Sequence, residues 1–359
     1  EQGHDVRILA PASGSLRGMP EKYIYKIGWP TPIPANGSIA RVAIFNPVLN
    51  KRVQRVLQRE HFDILHIHEP LVPGLSLAAL HCSQTLTVGT FHASSEVSYT
   101  STFNLAYASL APFLRSTWRR LQGRIAISSA THKFINHYFP ADYRTIPNGI
   151  SLDYFSQNIA PFPTLKDGQQ NILFIGRFEK RKGAKYLLRA IPMIRKQYPH
   201  TRFIFVGDGP LRPGFQRFVE RQGWQDVLFT GYVSNEDKAR YLASADIFCA
   251  PAIGGESLGI VLLEAMAAGK PIVASNISGY ATVIHHNVDG LLIPPRNSDQ
   301  LAATLGQLLK YELLRQRFAQ AGLQKVRAYA WPHISSQILD YYNELLGQQI
   351  QKIGRKAYG

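Results

Sequence analysis

Short runs of apolar, β-branched residues alternate along the chain with longer stretches in which apolar positions recur at helical spacing. Over the first part, the runs at 6–10, 63–68, 87–92 and 124–128 predict strands, and the patterns over 46–60, 76–84 and 129–138 predict helices. Strand and helix in turn predict βαβ units with a parallel sheet, because a parallel neighbour is reached only by a crossover connection. The periodicity breaks over 154–170, where Pro161, Pro163, Asp167 and Gly168 make a linker composition. It then restarts, with strands predicted at 172–175, 203–206, 227–230, 247–250, 272–274 and 291–293, and helices at 184–197, 211–221, 237–244, 258–268 and 300–310. The tail at 335–346 places Ile338, Leu339, Tyr342 and Leu345 on one helical face that must pack against something.

These patterns predict an α/β domain over 1–153, a linker over 154–170, a second α/β domain over 171–332 and a helical tail over 333–359 that returns toward the first domain. Open parallel sheets bind ligands at the carboxyl ends of their strands, so the expected architecture is two doubly wound domains facing across a cleft. The chain opens with Glu1-Gln2-Gly3-His4-Asp5, and Gly3 reads as the stop of a helix upstream of the first predicted strand. The expectation is therefore that the first strand of the N-terminal domain is missing.

With 359 residues, 45% apolar and 18% charged, the composition suits two folded domains and excludes a disordered chain or a coiled coil. No apolar run is long enough to span a bilayer, and the amino end lacks the order of a signal peptide. The two cysteines, Cys82 and Cys249, lie far apart and read as reduced thiols of a cytoplasmic protein. A net charge of +16 is spread over both halves. Such a field suits nucleic acid, an anionic membrane or a phosphorylated small molecule. No RNA-binding aromatic signature or zinc-finger spacing supports the first.

Two stretches carry candidate chemistry. The segment Gly254-Gly255-Glu256-Ser257-Leu258-Gly259-Ile260 leads from a predicted strand into an apolar helix that holds Glu264. Free amides and the positive dipole end at that helix start suit a phosphate, Glu256 could accept from ligand hydroxyls, and a buried Glu264 needs a partner such as a ribose diol. The plainer alternative is a capping glutamate plus a salt-bridged helix residue. The second stretch, Gly176-Arg177-Phe178-Glu179-Lys180-Arg181-Lys182-Gly183, follows the first strand of the second domain. Arg177 offers a planar fork and Lys182 a point charge, and both could reach one diphosphate; a solvated basic loop is the alternative. Gly207-Asp208-Gly209-Pro210 lacks phosphate-loop spacing and reads as a turn.

The glutamate pair and the Gly-Arg…Lys-Gly loop resemble the retaining glycosyltransferases of family 4, which have the GT-B fold of two Rossmann-like domains. The resemblance extends to Gly207-Asp208-Gly209-Pro210, Gly231-Tyr232-Val233, Asp289-Gly290-Leu291-Leu292 and the segment around Trp331. It implies that Arg177 and Lys182 neutralise the donor diphosphate, with the amides at Gly259 and Ile260 beside them, that Glu256 holds a sugar hydroxyl and Glu264 the ribose, and that no metal takes part. By the same resemblance, the family's first Gly-rich loop is expected to be missing from this chain.

In the first half, Pro32-Ile33-Pro34-Ala35-Asn36-Gly37-Ser38-Ile39-Ala40-Arg41, His66-Ile67-His68-Glu69-Pro70 and Thr90-Phe91-His92-Ala93-Ser94 are similar to the acceptor domain of phosphatidylinositol α-mannosyltransferases. That resemblance implies His92 beside the donor sugar and Asn36 and Arg41 toward the acceptor head group. It also implies a basic surface on helix 46–60, where Arg52, Arg55 and Arg59 share one face by spacing; a solvated helix face is the alternative. The acidic residue that reads guanine in that group falls at Asn235, flanked by Val233 and Lys238. His66, His68 and His92 have no further residue at ligand spacing and are not read as a metal site.

The function implied is retaining, metal-independent transfer of a hexose, mannose from GDP-mannose, to a phosphatidylinositol-type lipid. The enzyme would need no cofactor beyond its donor substrate, would bind no nucleic acid, and would work peripherally on the cytoplasmic face of an anionic membrane. The alternatives are a same-fold transferase using UDP-glucose or another acceptor, and a non-catalytic nucleotide-sugar or polyanion binder.

Overall fold

The computed structural model describes residues 3–12, 20–35, 38–43, 47–94 and 102–357. Asn36 lies outside them, as does the side chain of Arg41.

The first domain runs β1 (Ile8–Ala10), β2 (Ile24–Lys26), β3 (Pro30–Ala35), β4 (Ser38–Ala43), α1 (Pro47–Glu60), β5 (Ile64–His68), α2 (Leu75–Cys82), β6 (Leu86–Phe91), α3 (Thr102–Trp118), β7 (Gly123–Ala126), α4 (Ser129–Tyr138) and β8 (Arg144–Thr145). Strands β5 to β8 form a parallel sheet in sequence order, as the alternation of strand and helix predicts. β1 and β2 make a separate parallel pair. β3 and β4 form an antiparallel hairpin that the periodicity did not disclose. Pro30, Pro32 and Pro34 cannot donate to a ladder, and such a strand survives only where one edge needs no partner.

The second domain runs β9 (Gln170–Ile175), α5 (Ala184–Gln197), β10 (Thr201–Val206), α6 (Arg212–Arg221), β11 (Val227–Gly231), α7 (Asn235–Ser244), β12 (Ile247–Ala250), α8 (Ile260–Ala267), β13 (Ile272–Ser275), α9 (Ser278–Ala281), β14 (Leu291–Ile293), α10 (Ser298–Lys310) and α11 (Glu312–Val326). Its six strands are parallel in the order β11-β10-β9-β12-β13-β14. The order reverses between β9 and β12, and the crevice at such a switch point, beyond the strands' carboxyl ends, is where an open α/β sheet takes its ligand. Strand residues alternate between two cores: Leu173, Ile204 and Phe248 on one face with α8, and Ile172, Phe174, Phe203 and Phe205 on the other with α5 and α10. Both faces are covered, which is why these strands read as continuous apolar runs.

The last helix, α12 (Trp331–Ala357), is longer than the predicted 335–346 and leaves the second domain to cover the first domain's sheet. Ile334 and Leu345 are buried against Leu86, Val88, Ile125 and Ile146. A Cβ on Gly123 would stand 2.5 Å from Leu345 Cδ1, so only glycine there lets the helix approach. Tyr341 ties the same seam by a hydrogen bond: its hydroxyl accepts the Arg124 N–H at 3.0 Å.

Candidate active site

The two loops flanking the switch point approach each other closely. Gly183 ends the first with φ 70°, and a Cβ there would lie 1.8 Å from the Pro251 carbonyl oxygen of the second, so a side chain would force the loops apart. Across this junction Lys182 Nζ stands 2.8 Å from Glu256 Oε1. Arg181 pairs with the same oxygen and reaches Gly255 O at 3.4 Å. Both cations share Oε1, and Oε2 has no ion pair among the described residues. Glu256 is 9% exposed, so the cluster is shielded from water and its charges interact more strongly than on a surface.

Gly259, at φ 80°, starts α8 with no side chain capping it, which leaves amide groups and the positive dipole end directed at the same place. Ile260, the first helical residue, is 41% exposed. A cavity of about 370 Å³ lies between the domains, lined by His92, Asn148, Arg181, Lys182, Glu256 and residues 257–261. The first domain fastens the Glu256 loop from the other side. Ser94 Oγ donates to Glu256 O at 3.0 Å, and Ser128 Oγ donates to Ser257 O at 2.6 Å.

His92 enters this cavity from the turn after β6, and that turn is held by a buried carboxylate. Glu69 Oε1 accepts the His92 N–H at 2.7 Å and the Ala93 N–H at 2.6 Å. Glu69 itself has φ 51°, a left-handed conformation that costs a non-glycine residue about 1–3 kcal/mol and persists only where surrounding contacts enforce it. Burial pushes its carboxyl up, against the pull of those two N–H groups. Burial lowers His92 to about 4, with neighbouring His68 adding to the shift, so the ring is neutral near pH 7.

Glu264, one turn into α8, is buried and takes Lys238 Nζ at 2.6 Å. Burial raises its carboxyl, and the Lys238 ammonium opposes that rise. Lys238 also sits over the Phe155 ring at 4.9 Å. Val233 packs against the domain core, and Asn235 is exposed at the start of α7, behind the capping Ser234.

The structure thus brings Lys182, Glu256, Gly259, Ile260 and His92 around one cavity, with Glu264 and Lys238 joined to each other. It does not bring Arg177 to the cavity lining. That side chain is about half exposed, and its Nη2 lies 3.1 Å from Glu179 Oε1. The cation that joins Lys182 is instead Arg181, overlooked because charge counting cannot tell which residue of Lys180-Arg181-Lys182 turns inward. The signal was the left-handed glycine that follows, which aims the last residues of the loop at Pro251. Arg52, Arg55 and Arg59 are exposed on α1, opposite the buried Leu49 and Val53.

Residues 1–154 match the model of Glycosyltransferase Family 4, and residues 156–325 match that of Glycosyl transferases group 1. The chain is 38% identical over 358 residues to the phosphatidyl-myo-inositol mannosyltransferase of Mycobacterium leprae, covering 98% of this chain and 91% of that one. It is 35% identical to the protein of that name from Mycolicibacterium smegmatis, over 98% of this chain and 88% of that one. Among solved structures, a sucrose-phosphate synthase from Thermosynechococcus elongatus superposes with a TM-score of 0.72 at 20% identity, over 90% of this chain and 89% of that one. The last likeness is one of fold.

Proposed function

Because the chain belongs to the family 4 and group 1 glycosyltransferases and has their GT-B fold, we propose that it transfers a mannosyl residue from GDP-mannose to a hydroxyl of a phosphatidylinositol-type lipid, with retention at the anomeric carbon and without a metal ion. The observation that carries this reading is the meeting of Lys182, Arg181, Glu256, His92 and the uncapped start of α8 around one interdomain cavity.

Departure of a nucleoside diphosphate builds negative charge on the leaving oxygen. Lys182, Arg181 and the amides at Gly259 and Ile260 are already in place to receive it, so stabilisation needs no reorganisation at the moment of reaction. Cationic side chains here take the part that a metal ion plays in other phosphate-leaving reactions. Glu256 anchors both cations through Oε1 and offers Oε2 to a sugar hydroxyl. Glu264, steadied by Lys238, takes the ribose diol, and Val233 and Asn235 flank the base. Asn235 accepts hydrogen bonds but cannot take both guanine N–H donors as a carboxylate does.

Retention follows when the leaving phosphate itself accepts the proton of the attacking hydroxyl on the same face of the sugar. His92, neutral near pH 7, accepts a sugar hydroxyl and holds that face toward the acceptor. Asn36 and Arg41 receive the lipid head group. The exposed arginines of α1 meet an anionic membrane, where the enzyme sits peripherally on the cytoplasmic side. Among the described residues no helix is long and apolar enough to cross a bilayer.

The test is transfer of label from GDP-[¹⁴C]mannose to liposomes containing phosphatidylinositol, with and without EDTA, followed by α-mannosidase digestion of the product. Labelled lipid that forms in EDTA and is released by α-mannosidase is the expected result. Label entering lipid only from UDP-glucose would overturn the donor, loss of transfer in EDTA the metal independence, and resistance to α-mannosidase the retaining course.

A further inference from the structure

Behind His92 stands a row of imidazoles that the reaction as described does not use. β5 places His66 and His68 on one face, and the register that pairs His68 with Thr90 brings both beside the end of β6. Their rings stack with centroids 4.8 Å apart and 10° between planes. His68 Nδ1 lies 2.7 Å from His92 Nε2. His66 is engaged at both nitrogens, by Thr90 Oγ1 at 2.6 Å and by the hydroxyl of Tyr342 on α12.

Which nitrogen of a neutral histidine carries the proton is set by the hydrogen bond the other one makes. One assignment that satisfies the whole row has Tyr342 O–H donating to His66 Nδ1, His66 Nε2–H donating to Thr90 Oγ1, and His92 Nε2–H donating to His68 Nδ1; the reverse, with His68 Nδ1–H donating to His92 Nε2, would leave His92 no lone pair for a hydroxyl. In the first assignment all three rings carry their proton on Nε2.

We propose that His68 is a positioning residue for His92: by accepting the His92 Nε2–H, it holds that ring in one orientation and one tautomer, with the Nδ1 lone pair kept as acceptor for a hydroxyl of the bound glycosyl group, a role that rests on the glycosyl transfer proposed above. Glu69 already fixes the backbone of His92, so the ring is the freedom that remains, and His68 removes it. Burial keeps the row uncharged, lowering His66 to about 3, His92 to about 4, and His68 in the same direction. A charged His92 would donate from both nitrogens and have no lone pair to offer.

Three replacements separate the hydrogen bond from the bulk of the ring. His68→Asn keeps an acceptor oxygen close to where Nδ1 stood, His68→Gln carries it to the far side where Nε2 stood, and His68→Phe keeps a stacking ring with no acceptor. In the full chain, kcat for mannosyl transfer falls about tenfold or more in the Phe and Gln variants with donor KM within about twofold, the size of loss typical when a supporting partner is removed, while Asn stays within about threefold of the parent. Nitrogen-15 spectra of the histidine-labelled chain, with His92 assigned by its loss in His92→Gln, read the tautomer without turnover. The expected pattern is protonated Nε2 and bare Nδ1 in the parent and the Asn variant, and an averaged pattern in the Phe variant. Asn and Phe variants equal in kcat, or a His92 tautomer unchanged by Phe, would overturn the assignment. A parent chain that transfers no mannose overturns the proposed reaction, and the spectra then decide the positioning role by themselves.

Discussion

Lys182 Nζ and Glu256 Oε1 stand 2.8 Å apart, joining the loop after β9 to the loop after β12 across the point where the strand order reverses. The pair fixes two walls of the cavity against each other. Arg181 reaches the same carboxylate oxygen, whereas Arg177 turns to Glu179.

That difference ranks the three cations. Lys182→Ala and Arg181→Ala each weaken GDP binding by about 1.5–3 kcal/mol, the worth of a hydrogen bond to a charged group. Arg177→Ala costs less than about 1 kcal/mol, as for a half-exposed cation away from the cavity lining. Titration calorimetry with GDP measures all three, and an Arg177 loss equal to that of Lys182 would put Arg177 back beside the diphosphate.

Stability falls on acidification through the half-buried histidines His66 and His92. The folded values of His66 and His92 are lowered from 6.5 to about 3 and about 4. Between pH 6.5 and those values the unfolded chain takes up protons that the folded chain refuses, so stability is full above pH 6.5 and drains away below it. At about 1.4 kcal/mol per unit, the loss by pH 4 is on the order of 3 kcal/mol for each histidine. Guanidinium melts at several pH values read the slope, and His66→Gln flattens it.

The cover formed by α12 is a structural element of the first domain. Leu345→Ala removes a buried contact to Val88 and Ile125 and costs about 2–4 kcal/mol by loss of burial and cavity formation. Chemical denaturation of the whole chain measures it. A cost under about 0.5 kcal/mol would mean the helix is loosely held.

At the membrane, replacing Arg52, Arg55 and Arg59 together with Gln weakens binding to anionic vesicles by about 2–3 kcal/mol, since each charge near such a surface is worth about 1 kcal/mol. High salt reproduces the loss for the parent chain, because the Debye length falls to about 3 Å at 1 M. Co-sedimentation with anionic and neutral vesicles reads both. A triple variant that sediments like the parent returns α1 to a solvated face.

The doubly wound second domain was legible because its strands are buried on both faces and its helices carry one apolar stripe, so local pattern and global fold agree. The hairpin of β3 and β4 was not, because Pro30, Pro32 and Pro34 contradict a strand locally and only their place at an edge permits one. α11 was missed because its stripe is thin: only Phe318, Gly322 and Val326, four apart, are buried, and the middle one is a glycine. At the site, residue types and loop positions pointed to Lys182 and Glu256, which line one cavity, and to Glu264, which pairs with Lys238. The turn of Arg181 rather than Arg177 toward Glu256 depends on a backbone path that composition does not encode. The contact of His66 with Tyr342 spans 276 positions, and no local signal carries it.

The hydroxyls of Ser94 and Ser128 hold the Glu256 loop from the opposite domain, and this gives the two substrates a common account. If the first domain takes the lipid and the Glu256 loop the sugar, as proposed, a shift at either would be felt at the other through these bonds. Linkage makes the influence mutual: whatever factor the nucleotide contributes to lipid affinity, the lipid returns to nucleotide affinity. On the proposed reading, these two serine hydrogen bonds are the route by which donor and acceptor sites would be coupled.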